Sequence, residues 1–413
     1  MESSFFTLAQ VADILGVSKD TLRRWDNNGT LSSRRDVSNN YRVYHRSQIQ
    51  RFEQAQLLFE SNWDDELKTV PSRSYKLIEL FAGCGGLALG MEYAGLKSVL
   101  LNEIESDACD TLRRNRPNWN IIECDIKKIN FKKFKNNIDI LTGGFPCQAF
   151  SYAGKKLGFE DTRGTLFFEY ARAINEIRPK VFLAENVRGL LKHNNGETLK
   201  TIRNVIEELG YKLIDPRVLK AMFFKVPQKR ERLFLIGIRK DIADFVKFKW
   251  PSPYKRILTL KDALKAGELY HTDVPSSPFQ KYPSRKKEIL DHVPAGGYWK
   301  DLPLRLQKEY MMKSFYLGGG KTGMARRLSW DEPSLTLTTS PAQKQTERCH
   351  PDETRPLTIR EYARIQTFPD DWEFSGSLAS QYKQIGNAVP VNLAYAVGRS
   401  IVRLLNDIDA YEK

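Results

Sequence analysis

The chain has 413 residues, 41% of them hydrophobic and 28% charged, enough for two or three domains with a sizeable core and unlike a disordered or fibrous protein. Lysine plus arginine exceeds aspartate plus glutamate by 15, which favours a polyanionic partner, although a solvated basic surface carries the same excess. No run of about 18 apolar residues marks a membrane span, and the start MESSFFTLAQ lacks the basic-then-apolar order of a secretory signal, so a cytoplasmic protein is expected. Five cysteines, an odd number with no C-x-x-C pair, argue against a disulfide framework and a structural zinc; no metal site is expected.

The first 62 residues read as one unit. In FFTLAQVADILGVSKDTLRRWDNNG, Thr7 and Gln10 form a capping box, Gly16 ends a short helix and Ser18 caps a second. Leu8, Val11, Ala12 and Leu15 share an apolar face that Val17, Leu22 and Trp25 continue, a helix-turn-helix spacing. Lys19, Arg23 and Arg24 are expected to point outward, and Arg23 and Arg24 are candidate DNA contacts. Asn39-Asn40 suits a hairpin tip, and Ser47 with Gln50 can start a third helix. The whole resembles the winged helix-turn-helix of MerR-type regulators and excisionases; a module for protein contacts is the bland alternative. Residues 63–74 read as a polar linker.

From Tyr75 to residue 240, strands alternate with helices. YKLIEL, LKSVLLNEI, NIIECDI, IDILTGG, KVFLAEN and the later RLFLIGI are the apolar runs. That rhythm predicts an α/β fold with a doubly wound, mostly parallel sheet. Residues 241–345, rich in Pro, Lys and Tyr, show no steady period and predict a small irregular domain. Residues 346–413 end in a helical pattern of Val391, Leu393, Ala394, Val397, Ile401 and Leu404, expected to return to the strand-and-helix domain of residues 75–240.

Two stretches carry chemistry. FAGCGG follows the first strand of the sheet, and its glycines let backbone amides approach a ligand at a helix start. Its spacing departs from G-x-G-x-x-G. Glu103, twenty residues after Gly83, and Asp125 end the next two strands, where acids take ribose hydroxyls. With no basic residue in the loop to neutralise a pyrophosphate, S-adenosylmethionine is the best-matched cofactor. The second stretch, GGFPCQAFS, puts Cys147 on a loop past a strand expected to end at Thr142, an open setting for a thiol that is more often a small buried hydrophobe.

With these in place, residues 75–400 resemble the DNA (cytosine-5) methyltransferases of bacterial restriction–modification systems. The ordered motifs are FAGCGG, NEIE, CDI, GGFPCQAFS, AENV, QKRER and QIGNAVP, with the variable stretch where that family keeps its target-recognition domain. The resemblance implies the S-adenosylmethionine-dependent methyltransferase fold, with Cys147 as the thiolate that adds to cytosine carbon 6 and Glu185 as the acid at ring nitrogen 3. Arg232 would hold the carbonyl oxygen of the base. Arg230 and Gln228 would brace the site, and Asn186 would hold its loop. It assigns the cofactor to Phe81, Gly83, Gly85, Gly86, Glu103, Ile104, Asp125, Ile126, Pro146, Leu166, Asn387 and Val389. A mobile loop after the nucleophile would bring Lys155, Lys156 and Arg163 to phosphates while the base is flipped out of double-stranded DNA.

Arg327, Pro333 and Thr336 are expected to organise the second domain, and base readers among residues 241–345 stay open, with Arg285, Lys286, Lys321 and Arg326 as candidates. The family usually has Gly where this chain has Lys225: either the backbone there avoids positive φ or the Lys meets a phosphate. A monomer is expected, together with a cognate restriction endonuclease as functional partner and residues 1–60 as an operator-binding repressor. An RNA cytosine methylase and a catalytically silent regulator are the competing readings.

Overall fold

The computed structural model describes residues 5–37, 39–146 and 166–413. The N-terminal unit begins with β1 (Phe5–Thr7) and the helix Leu8–Leu15. The Thr7 hydroxyl accepts the Gln10 amide at 3.3 Å while Gln10 Oε1 accepts the Thr7 amide at 2.8 Å, a reciprocal cap. Gly16 closes the helix at φ 69°, and Ser18 caps the helix Lys19–Asn27. A wing of β2 (Arg34–Arg35) and β3 (Arg42–His45) follows, with β1 beside β3.

The third helix differs from expectation. It starts at Arg46, with His45 and Gln48 rather than Ser47 and Gln50 forming the capping box, because β3 runs straight into it and its last residue becomes the cap. Residues 63–74 are also no mere spacer. Trp63 is buried 5.3 Å from the Tyr254 ring with the Arg399 guanidinium 4.3 Å from its own, and Arg73 forks onto Asp139 and Asp409. An indole in a polar run is a large apolar surface that folding removes from water.

The large sheet is built from β4 (Lys76–Leu80), β5 (Lys97–Glu103), β6 (Ile121–Glu123), β7 (Ile140–Gly143), β8 (Val181–Val187), β9 (Tyr211–Leu213) and β10 (Arg217–Lys220). After β11 (Gln228–Lys229), which lies apart, β12 (Glu231–Arg239) completes it. The order is β10-β12-β8-β7-β4-β5-β6, with β9 alongside β12. β4 to β8 are mutually parallel, whereas β12 runs antiparallel to β8, β9 and β10. Strand β7 ends at Gly143, one residue beyond the expected Thr142.

Both faces of the sheet are covered, which is why its strands read as continuous apolar runs. Leu77, Ile140, Leu183 and Ile236 pack with Met91, Val397 and Ile401 on one face. Ile78, Leu141, Phe182 and Leu235 pack with Ile174, Ile202 and Val205 on the other. Each such side chain withdrawn from water contributes about 1.5–3 kcal/mol before conformational entropy is counted. The terminal helix Val391–Tyr411 lies against the helix Gly86–Tyr93 so closely that a Cβ on Gly90 would overlap Ala394.

Because β4 sits mid-sheet, the chain leaves it toward β5 on one side and reaches β7 on the other. Such a reversal opens a crevice at the carboxyl ends of the strands. Residues 241–345 form an irregular lobe of short helices, tied back where β11 pairs in parallel with β13 (Ser334–Leu335).

Candidate active site

A cavity of about 630 Å³ opens at that crevice, within the range of small-molecule sites. Phe81 leaves β4 at φ 58°, an uncommon conformation for a bulky residue, and turns the chain into the glycine loop. Gly86 has no room for a side chain, since a Cβ would run into the Val389 carbonyl; this close approach is how GNAVP, three hundred residues later, closes the wall. Glu103 accepts the amides of Gly83 at 2.7 Å, Ile104 at 2.7 Å and Glu105 at 2.9 Å. A carboxylate offers about four acceptor positions, so capacity remains for a ligand hydroxyl. Asp125 caps the turn after β6 through the Lys127 amide, and Ile126 is buried behind it.

Ile104 is 62% exposed although it lines the cavity, an apolar surface suited to a flat ring. Pro146, Leu166, Asn387 and Val389 complete the walls. Gly85 does not line them. At φ 89° it caps the following helix, and a Cβ there would meet Leu112 and Trp372.

Also lining the cavity, Glu185 on β8 meets Arg232 on β12 at 2.7 Å, both side chains nearly buried. The antiparallel register explains this: Glu185 sits opposite Phe234 and Arg232 opposite Val187, so the two long side chains reach across one ladder step. Burial raises the Glu185 carboxyl, and the neighbouring Arg232 and Arg230 offset only part of that. Asn186 donates to the Phe145 carbonyl at 3.0 Å and accepts the Val187 amide at 2.8 Å, fastening the ends of β7 and β8 together.

Arg230 and Gln228 stay out of the cavity. Arg230 is buried and donates to the carbonyls of Leu337 and Gly386, while Gln228 bonds Gln366 and the Leu337 amide. They join three distant segments behind the site. Cys147, the next residue after Pro146, lies outside the described residues, as do Lys155, Lys156 and Arg163.

Arg23 and Arg24 are exposed on the second helix, within reach of Asp20 and Thr21 respectively. Lys19 does not point freely outward; it bonds Glu332 of the irregular lobe at 2.7 Å. Three of the four candidate base readers bond neighbouring groups. Arg285 pairs with Glu309 and Glu288, Lys286 with the buried Glu347, and Lys321 with the Ser314 and Leu317 carbonyls, while Arg326 is half-buried. Arg327, in contrast, bonds four partners from Leu290 to Thr354, and Thr336 bonds the Lys229 carbonyl, so both organise the lobe.

Lys225 overturns the first of the two alternatives set for it, a backbone that avoids positive φ. Its φ is +58°, so the backbone keeps the conformation glycine favours, and its ammonium lies 3.5 Å from Glu268 and over the Tyr254 ring.

One wall residue went unnoticed in the sequence. Glu79 lies on β4 with its side chain buried and facing the cavity, accepting the Thr142 hydroxyl at 3.2 Å. Burial pushes it up to about 8. The signal was an acid inside the apolar run KLIEL. Among the described residues no group of three or more His, Cys, Asp or Glu is placed to hold a metal, and no helix is long and apolar enough to cross a membrane.

Residues 75–403 match the family of C-5 cytosine-specific DNA methylases, and residues 6–62 match the MerR HTH family of regulatory proteins. The chain is 68% identical over 404 residues to the Type II methyltransferase M.Eco47II of Escherichia coli, covering 98% of this chain and 97% of that one. It is 64% identical over 401 residues to M.PspPI of Psychrobacter sp. (strain TA137), covering 97% and 96%. Among solved structures, a candidate DNA modification methyltransferase encoded in an E. coli prophage superposes with a TM-score of 0.58 at 26% identity, over 81% of this chain and all of that one.

Proposed function

Because the chain belongs to the C-5 cytosine-specific DNA methylase family, we propose a residue-level account of how it acts. The protein is a DNA (cytosine-5) methyltransferase of the Type II restriction–modification kind, and its reaction requires a methyl donor. We take that donor to be S-adenosylmethionine. The observation that carries the account is the Glu185–Arg232 pair facing the same cavity as Phe81, Glu103 and Asp125.

The cavity suits the donor on its own terms. Ile104 and Phe81 offer apolar faces to an adenine, Glu103 keeps acceptor capacity for ribose hydroxyls, and the glycine loop allows close backbone approach. When bound, the donor supplies an electrophilic methyl group. Carbon 5 of cytosine is too weak a nucleophile to take it unaided. Cys147 adds through its sulfur to carbon 6, which loads electron density onto carbon 5 and the ring nitrogen. Glu185, whose burial favours the protonated form, gives a proton to nitrogen 3. Arg232, already held by Glu185, turns its remaining N–H groups to the base carbonyl. Once carbon 5 has taken the methyl group, loss of its proton, to a water in our reading, breaks the carbon–sulfur bond and frees Cys147, while nitrogen 3 returns its proton to Glu185. A stacked base cannot reach this cavity, so the target cytosine is flipped out.

Residues 1–60 bind an operator and repress the methylase's own expression, and a cognate endonuclease is the functional counterpart in the cytoplasm. The enzyme works as a monomer, since one cavity and one irregular lobe handle one base. The test is transfer of labelled methyl from S-adenosylmethionine to duplex DNA and, separately, to transfer RNA. Label in DNA only, lost in Cys147→Ala and reduced in Glu185→Gln, is the expected result; label in RNA alone overturns it.

A further inference from the structure

The helix-turn-helix is not held at arm's length. Val11, Leu15 and Leu22 share one buried cluster with Met222 and Ile257 of the methyltransferase body. Beside that apolar contact lies a chain of four alternating charges. Lys19, the first residue of the second helix, bonds Glu332 at 2.7 Å; Lys229 reaches Glu332 at 3.3 Å and Asp13 at 3.0 Å. Burial alone would raise Glu332, but Lys229 and Lys19 outweigh it and hold the carboxyl down at about 2.

Position gives this chain of charges its meaning. The amino-terminal residues of a second helix in this motif are those that meet DNA, and Lys19 stands there. Asp20, Arg23 and Arg24 beyond it stay exposed. A duplex on that helix brings phosphates to the same ammonium that Glu332 now holds. On the other side, Lys229 precedes Arg230 and belongs to β11, whose pairing with β13 starts two residues after Glu332. The network thus spans from the DNA-reading end of one unit to the segment bearing Arg230 and Arg232.

We propose that Lys19 is a shared contact for which duplex DNA and Glu332 compete, so that operator binding by the helix-turn-helix and its docking on the methyltransferase body oppose each other. This rests on the operator-binding reading above. Release of Glu332 by DNA leaves Lys229 a single partner for two carboxylates, and by reciprocity a change at the β11 segment returns to the operator affinity.

The test uses the full chain and a short fluorescein-labelled duplex from immediately upstream of its own coding sequence, with affinity read by anisotropy. Glu332→Gln is expected to tighten binding about threefold to fivefold, the scale of one partly exposed ion pair. In a Lys19→Gln background the same change should do almost nothing, whereas a Lys19→Arg background should restore the gain. An equal gain with and without Lys19 overturns the coupling, because plain removal of a negative charge then explains it. A combined Arg23→Gln and Arg24→Gln chain that binds the duplex as tightly as the wild type overturns the operator reading, and the coupling with it.

Discussion

Replacing Glu79 by glutamine should make the protein more stable at neutral pH, and the size of the gain follows from where this carboxyl sits. The side chain is buried beneath the glycine loop, accepts one hydroxyl from Thr142, and is pushed from 4.5 up to about 8 by burial. The folded state therefore keeps a proton that the unfolded chain gives up above its ordinary value. A raised folded pKa contributes stability that is fully present below 4.5 and is lost as pH rises toward 8. The loss is about 1.4 kcal/mol per pH unit, so the interval from 4.5 to pH 7 amounts to roughly 3 kcal/mol. Glutamine has nearly the same shape, keeps an acceptor for Thr142 and never ionises. Urea unfolding of wild type and Glu79→Gln at pH 5, 6, 7 and 8 isolates the effect, because every other titrating group is common to both chains. The two should nearly coincide at pH 5 and separate steadily up to pH 8. A constant gap across the series, or a less stable variant at pH 7, would refute the reasoning.

Other perturbations probe other parts of the site. Arg232→Ala leaves the Glu185 carboxyl buried without its partner and should cost about 3 kcal/mol in denaturant unfolding, together with at least a hundredfold of methyl transfer. Gly86→Ala drives a Cβ into the Val389 carbonyl, so calorimetric titration should find donor binding weakened more than tenfold in a chain that still folds. At Lys225, glycine should match or exceed the wild type in thermal melting, whereas valine, β-branched and forced to φ +58°, should lose about 2 kcal/mol.

The parallel strands themselves and several residues that line the cavity were legible because each has a local cause. Apolar runs buried on both faces mark β4 to β8, the glycines of FAGCGG mark a turn into a helix, and acids at strand ends mark Glu103 and Asp125. What escaped was set by partners remote in sequence. Strands β9 and β10 are three and four residues long, exist only because β12 offers them an edge, and have no period of their own. Gly85 shares a motif with Gly83 and Gly86, yet faces Trp372, which no spacing reveals. For the basic residues of the irregular lobe, composition shows the charge but not the Glu309 that pairs with Arg285 or the Glu347 that pairs with Lys286. The positive φ of Lys225 left no mark in the sequence, where a lysine gives no sign of a left-handed backbone.

The central claim is that this cavity methylates carbon 5 of cytosine through Cys147. Bisulfite sequencing of plasmid DNA from cells expressing the chain, beside a Cys147→Ala control, tests it most directly. The account predicts protected cytosines in one short recurring context with the wild-type chain and none with the control. Fully converted plasmid from cells that hold soluble, donor-binding protein, or protection that survives the loss of the thiol, would contradict it.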